Sequence, residues 1–484
     1  MMKKFPEKFY WGGAISAIQV ESTKDLKSET NWDIFYKNNK TIFFDGIGPD
    51  NTCDHLKHFK DDLKLFKEVG CNSFRTSILW ARIFPKQNEI DYESVKRYHE
   101  YFDYANELGL DIFLTLNHFD VPDWIYEKKG FESKEVVEEF VKFSKLVLDE
   151  YGNKIKVLCT FNEPLIPILH GYLSKIHPPA IIDPKRAVQA AYGMVLAHAK
   201  VSNLFYEEYK NKYPNLMLSV ILNLTPAVPR DGIKYTKEDK IAAEYADTLL
   251  NDSLLYPMVK GVIDKKLVNI LSENNLIPEH TQNELSIIRK TKIDILGINY
   301  YHPSRVVAPN GNETGFLKKF FVDYNWDKDR INVFRGWEIL PKSIYDLGMI
   351  VKNKFNNIPW YISENGMGVE NEHLYKDEKT NIIQDDYRIA FISEHLEWLH
   401  KVIEAGSNCK GYHLWSLIDN WSFRNAFKNR YGLIEMDLNT KKRTIKKSGY
   451  WFKELTSTNA LTIPYKKIED TIDLKNIKYK ESYN

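Results

Sequence analysis

The feature that most constrains this chain is an alternation of short β-branched or aromatic runs with longer helical periodicities. Between Asp61 and Val69, the residues Leu63, Phe66 and Val69 fall on one side of a helix that Gly70 can stop, and an extended run at 72–78 follows. Residues 93–108 put Val95, Tyr98, Phe102 and Ala105 on one face up to Gly109, and a strand-like run at 111–116 comes next. Ser133 stands where it can cap a helix carrying Val137, Phe140, Ser144 and Val147, with Gly152 behind it and another extended run at 156–161. Three helix-then-strand units in succession argue for parallel strands joined by crossover helices. In all, eight candidate strands are readable, at 9–15, 73–78, 112–117, 157–161, 216–223, 293–299, 360–363 and 411–415. Eight favours a closed barrel over an open doubly wound sheet. The expected fold is therefore α/β, a single (β/α)₈ TIM barrel with elaborated βα loops.

Length and composition narrow this further. A chain of 484 residues is long for a minimal domain but suits one barrel enlarged by its loops. We assign 1–459 to the barrel and read the Lys-rich 460–484 as a tail laid on it, not an independent domain. Lys and Arg total 67 against 66 Asp and Glu, so neither nucleic acid nor an anionic membrane is expected as a whole-chain electrostatic partner. No window holds 18 apolar residues and no leader-like apolar run follows the first lysines, which points to a cytoplasmic protein. The scattered Cys53, Cys71, Cys159 and Cys409 read as buried free thiols. The histidines show no metal-ligand spacing, so neither a metal nor another cofactor is expected. Nothing in the sequence fixes an oligomeric state, and a homo-oligomer stays open.

In such a barrel, catalytic groups sit where strands end and βα loops begin. The first candidate strand is followed by Gln19 and Glu21, the second contains Arg75, and the third ends Asn117-His118-Phe119-Asp120. The fourth runs into Asn162-Glu163-Pro164, the sixth into Asn299-Tyr300-Tyr301, the seventh into Glu364-Asn365-Gly366, and the eighth spans Trp415 to Trp421. Two glutamates at two strand ends, each beside an amide, match what glycoside cleavage requires. One carboxyl must protonate the leaving oxygen while the other attacks or activates water. Either tripeptide alone would read as an ordinary surface glutamate; their joint placement carries the signal. His198, His395 and His400 lie in helical runs and read as packing or solvent-facing.

The sequence resembles glycoside hydrolase family 1, the β-glucosidase and 6-phospho-β-glycosidase family. The likeness runs from FYWGGAISAIQVES at 9–22 to SGYWFKEL at 448–455 and includes TFNEP, ISENG, NHFD and NYY. It implies a retaining β-glycosidase that removes the non-reducing terminal sugar of small β-glycosides through a covalent glycosyl–enzyme intermediate. By this resemblance Glu163 is the general acid/base and Glu364 the nucleophile, with carboxyls about 5–5.5 Å apart. Arg75, Asn299 and Tyr301 support the nucleophile; Arg75 supplies an opposite charge that favours the ionised carboxyl. Gln19, His118 and Asn162 bind sugar hydroxyls, and Trp415 forms the platform under the ring.

Departures from the family pattern bear on the substrate. Where many β-glucosidases carry an acidic residue and a tryptophan for the 4- and 6-hydroxyls, this chain has Ser422 and Phe423. The phosphate-binding members have serine, lysine and tyrosine there. Ser422 and Tyr431 fit, the lysine position is Asn429, and Lys428 falls one residue early. Arg424 and Arg430 add charge whose direction the sequence does not give. Phe119 stands where tryptophan is usual, and Ser22 follows Glu21 where glycine is usual. With the lysine missing, the sequence favours a neutral β-glucoside; the alternative is a 6-phosphorylated or other anionic sugar such as a uronide. A catalytically silent sugar-binding relative is the remote alternative, and interception of the intermediate by an alcohol is a third.

Overall fold

The computed structural model describes residues 2–328 and 330–473. Its centre is a closed barrel of eight parallel strands: β1 (Tyr10–Ala14), β2 (Ser73–Ser77), β3 (Asp111–Asn117), β4 (Val157–Asn162), β5 (Met217–Asn223), β6 (Ile295–Asn299), β7 (Trp360–Glu364) and β8 (Cys409–Trp415). All eight expected strands form, each within two residues of the bounds read from the sequence. Closure is by β8 against β1, with Gly411 opposite Tyr10 and Trp415 opposite Ala14. Long crossover helices include α1 (His55–Glu68), α2 (Tyr92–Glu107), α3 (Lys134–Tyr151), α4 (Pro184–Leu204), α5 (Gln282–Arg289), α6 (Lys342–Lys354), α7 (Asp386–Glu404) and α8 (Lys447–Thr458).

The helix boundaries follow local chemistry. Gly70 (φ +92°) and Gly109 (φ +67°) take the left-handed conformation that ends α1 and α2. Asp91 caps α2 by accepting from the Glu93 N–H. Ser133 does occupy the N-cap position of α3, but its side chain makes no capping bond, and Gly152 stays helical (φ −57°). Side chains of the strands split between two cores. Inside the barrel, Phe113, Val157, Cys159, Ile221, Ile295 and Tyr361 fill the lower layer; the Phe113 ring meets Tyr361 edge-on at 5.1 Å and His413 at 4.9 Å. Outside it, residues such as Phe74, Leu114, Leu158 and Ile298 pack against the helices. The four cysteines are buried and unpaired. No helix among the described residues is long and apolar enough to cross a membrane.

Segments near the two ends of the described chain pair with each other. Met2–Lys4 pairs antiparallel with Ala460–Thr462, and Ile468 and Ile472 are buried. The remainder of the Lys-rich tail, 474–484, lies outside the described residues.

Two register shifts matter more than the regular ladders. Against β5, strand β4 slips between Cys159 and Asn162; against β6, strand β7 slips between Ile362 and Glu364. A bulge re-aims the side chains beyond it, and these two stand just before Glu163 and at Glu364. The second is packed tightly from behind, because a Cβ on Gly366 would lie 2.0 Å from the Trp415 carbonyl oxygen. Gly366→Ala should therefore lower the thermal unfolding midpoint, overpacking of this kind costing about 1–3 kcal/mol; an unchanged midpoint would mean that the β8 end yields freely.

Candidate active site

At the C-terminal mouth of the barrel the strand ends surround a cavity of about 1780 Å³. Gln19, His118, Glu163, Asn299, Tyr301, Glu364, Trp415, Ser422, Phe423 and Tyr431 all line it. Arg75 and Asn162 lie immediately beneath.

Arg75 organises the floor. Fully buried on β2, it forms an ion pair through Nη2 with Glu364 Oε1, and its Nη1 donates to Asn162 Oδ1 at 3.1 Å and to Ser363 Oγ at 2.7 Å. The other Glu364 oxygen accepts from the Tyr301 hydroxyl at 2.6 Å. Burial and the negative charge of Glu364 raise the Tyr301 pKa well above its usual value, so the phenol keeps the proton it donates.

Glu163 sits differently. Its backbone is left-handed (φ +45°), and its N–H donates to the Ile221 carbonyl at 2.9 Å. Its carboxylate accepts from Asn299 Nδ2 at 2.8 Å. Asn299 is the register partner of Glu364 across β6 and β7, yet its amide donates to Glu163 and to Asn162 (3.0 Å), so it touches both glutamates' surroundings. Burial first, and the Glu364 charge second, push the Glu163 carboxyl well above the usual carboxylate range; the Asn299 bond and Arg75 oppose this without reversing it. Glu163 is thus a carboxyl that tends to hold its proton, set beside a carboxyl that pairs with Arg75.

The groups expected to hold sugar surround this pair. His118 contacts Asn162 Nδ2 at 3.2 Å and stacks on Trp415 with centroids 5.9 Å apart. Burial and then Arg75 depress its pKa, so the imidazole is neutral. Its Nδ1 and the Oδ1 of Asn299 are buried without a partner among the described residues, an expense normally offset by a ligand or water. Gln19 is oriented by Ser16 Oγ (2.7 Å) and the Trp421 carbonyl (2.8 Å), with one donor and one acceptor site to spare.

Of the neighbouring positions, Trp421 is fully buried, donating Nε1 to the Ile47 carbonyl, and reaches the site only through its backbone. Glu21 is taken up by Arg82 and Tyr98, and Ser22 adopts φ +68° where glycine would be unstrained. Phe119 and Phe423 pack on each other at 5.5 Å, and Phe423 continues onto Trp32 at 4.5 Å. His198 bridges Thr160 and the Met258 carbonyl and is a packing residue, as read. Of the charges near Ser422, Arg424 and Lys428 line the cavity, whereas Arg430 turns toward Asp419 and the Met436 carbonyl. Missed by the sequence reading were Arg335 and Trp337, from the β6–α6 loop, which also line it. Their only sequence signal was an Arg-Gly-Trp run in a loop, with no periodicity to place it. Beyond Glu163 and Glu364, the lining carries five cationic side chains (Lys40, Lys318, Arg335, Arg424, Lys428) against two acidic ones (Asp45, Asp323). Among the described residues no group of three His, Cys, Asp or Glu could hold a metal ion.

Comparison with known proteins agrees with this geometry. The family profile described as Glycosyl hydrolase family 1 matches residues 1–461. The chain is 40% identical over 460 residues to the 6-phospho-beta-glucosidase GmuD of Bacillus subtilis, covering 93% of this chain and 97% of that protein. It is 30% identical to beta-glucosidase A of Acetivibrio thermocellus, over 94% and 98% of the two. The family 1 β-glucosidase structure from Thermotoga maritima superposes with a TM-score of 0.86 at 27% identity, over 95% of this chain and 99% of that one.

The mutual influence of the two carboxyls is directly measurable. A carbon-13 carboxyl titration should give Glu163 an apparent pKa above the ordinary glutamate range. In Glu364→Gln it should move down, because a neighbouring negative charge has gone; a value that stays put would deny the coupling.

Proposed function

This chain belongs to glycosyl hydrolase family 1 and is a β-glycosidase, and from that premise we propose that it cleaves small β-glycosides whose terminal sugar carries a 6-phosphate, with retention. In the first step Glu163, held protonated by burial and by Glu364, donates its proton to the glycosidic oxygen. Glu364, paired with Arg75 and aimed by Tyr301, attacks the anomeric carbon as the aglycone leaves. Glycosylation removes the Glu364 charge, so the now ionised Glu163 loses its main electrostatic reason to hold a proton. It then takes one from water, which attacks the same carbon and releases the sugar and free Glu364. His118, Gln19 and Asn162 hold hydroxyls over the Trp415 platform throughout.

Although Glu370 offsets Lys428 at 3.3 Å, the observation that carries the phosphorylated reading is the cationic excess along the lining of the cavity that Ser422 and Tyr431 share. A neutral sugar has no use for it, whereas a phosphate dianion does. The same wall has no carboxylate where Ser422 and Phe423 stand, so a bidentate acceptor for the 4- and 6-hydroxyls is lacking. Similarity to a protein named for 6-phospho-β-glucosides supports the same choice. The neutral β-glucoside remains the second reading, favoured by the uncharged Asn429 and by the relatives named β-glucosidases.

Glu364→Ala should abolish turnover and labelling by a 2-fluoro-glycoside, and label found on another carboxylate would overturn the nucleophile assignment. Glu163→Gln should slow poor leaving groups far more than activated aryl glycosides; equal loss on both would remove its acid role. The substrate itself is tested by a rate panel of aryl β-glucoside, β-galactoside, β-glucuronide and 6-phospho-β-glucoside. We expect the phosphorylated substrate to lead in kcat/KM by about tenfold or more, the ratio that about 1.4 kcal/mol of differential binding gives. A lead for the neutral glucoside would return the enzyme to the second reading.

A further inference from the structure

A hairpin in the β6–α6 loop carries a cation into the cavity. Ile331–Asn332 pairs antiparallel with Trp337–Glu338, and the turn between them is closed by the N–H groups of Arg335 (3.0 Å) and Gly336 (2.8 Å) on the Asn332 carbonyl. Gly336 takes φ +68°, a conformation glycine adopts without strain. The hairpin is tied down on both sides. Asn332 Nδ2 donates to the Gly368 carbonyl at 3.1 Å, and Arg305 grips Glu338 with a two-pronged pair at 2.6 and 2.9 Å.

At the tip, the Arg335 guanidinium lies over the Trp337 ring, 4.4 Å from its centroid, and lines the cavity together with Ser422 and Tyr431. Its Nε is buried and has no hydrogen-bond partner among the described residues. Its one side-chain partner there is Asn429, whose Oδ1 accepts from Nη1 at 3.4 Å while its Nδ2 donates to the Phe334 carbonyl at 3.4 Å. No carboxylate within 4.0 Å neutralises this guanidinium among the described residues. A stacked, half-buried guanidinium whose buried Nε–H is unused is a costly arrangement unless an anion with several acceptor oxygens completes it.

We propose that Arg335 is the specificity-determining cation that binds the phosphate of the substrate, and that Asn429 is a positioning residue that sets the guanidinium in place. The inference rests on the phosphorylated-sugar reading above and assigns the residue that enforces it. An uncharged amide at 429 is then part of the device: it accepts from the guanidinium, whereas an ammonium at that position would repel it. The bond to the Phe334 carbonyl fixes the amide's orientation, so its oxygen faces Arg335.

The readout is the ratio of kcat/KM for an aryl 6-phospho-β-glucoside to that for the matching aryl β-glucoside. Arg335→Ala should lower this ratio by about tenfold or more, mainly through KM for the phosphorylated substrate. Arg335→Lys, which keeps charge but loses the fork, should fall between wild type and Arg335→Ala. Asn429→Ala should lower the ratio less than Arg335→Ala does. An Arg335→Ala ratio equal to wild type, with wild type strongly preferring the phosphorylated substrate, overturns this inference and leaves the phosphorylated reading standing. A wild-type ratio below one overturns that reading and the inference with it. If Arg335→Ala is recovered poorly folded, the Arg335→Lys ratio decides: a value equal to wild type counts against the fork.

Discussion

The site depends on one buried charge. Arg75 is fully inside the barrel mouth, and a guanidinium there is tolerable only if its attractions and hydrogen bonds offset the loss of water. It finds them on two other strands: Asn162 on β4, and Ser363 and Glu364 on β7. Removing one partner of such a pair typically costs roughly 3–5 kcal/mol, because the other charge stays buried and unpaired. The same contacts that make Arg75 affordable therefore hold strand ends from opposite parts of the sequence in register. Glu364 is held in place by the same ion pair that offsets the burial of Arg75.

A second buried charge network does the same work one layer outward. Glu372 meets Arg388 at 2.5 Å and also pairs with Lys446, which in turn reaches Asp419 at 2.9 Å. Arg388 pairs with Asp385 as well and donates to the Arg430 carbonyl at 2.9 Å. This joins the loops after β7 and β8 to α7 and to the start of α8. Asp419 is thereby committed to structure, although it lies on the same stretch after Trp415 as the cavity-lining Ser422 and Phe423. Arg430 is drawn the same way, toward Asp419.

How much was legible in the sequence follows from this division. The strands were, because β-branched and aromatic runs alternate with helical faces, and so were the two glutamates, which end strands whose identity the period had already marked. What the sequence hid is direction. Lys428, Asn429 and Arg430 are consecutive, yet one lines the cavity, one holds a neighbouring hairpin and one turns to a buried aspartate. In an extended segment successive side chains alternate in face, so a shift of one residue exchanges their roles. The bulges before Glu163 and at Glu364 are equally silent in the sequence, since a slipped register leaves composition unchanged. Arg335 lay beyond reach for another reason: its importance comes from packing against a residue 94 positions away.

Chemistry and selectivity are consequently built on different parts of the fold. Glu163 and Glu364 stand at the ends of barrel strands, where a displacement would disturb the Arg75 contacts and the bulges. The outer cavity wall includes the β6–α6 hairpin and the loop after β8, each anchored to its neighbours but not to Arg75. Side chains there can change without breaking the Arg75 contacts that hold Glu364. A lysine replaced by asparagine at 429 is then not simply a lost cation. Under the phosphorylated-sugar proposal, what counts at 429 is what the side chain holds, and it holds Arg335. A motif read along one loop misses that, because the charge is supplied from another.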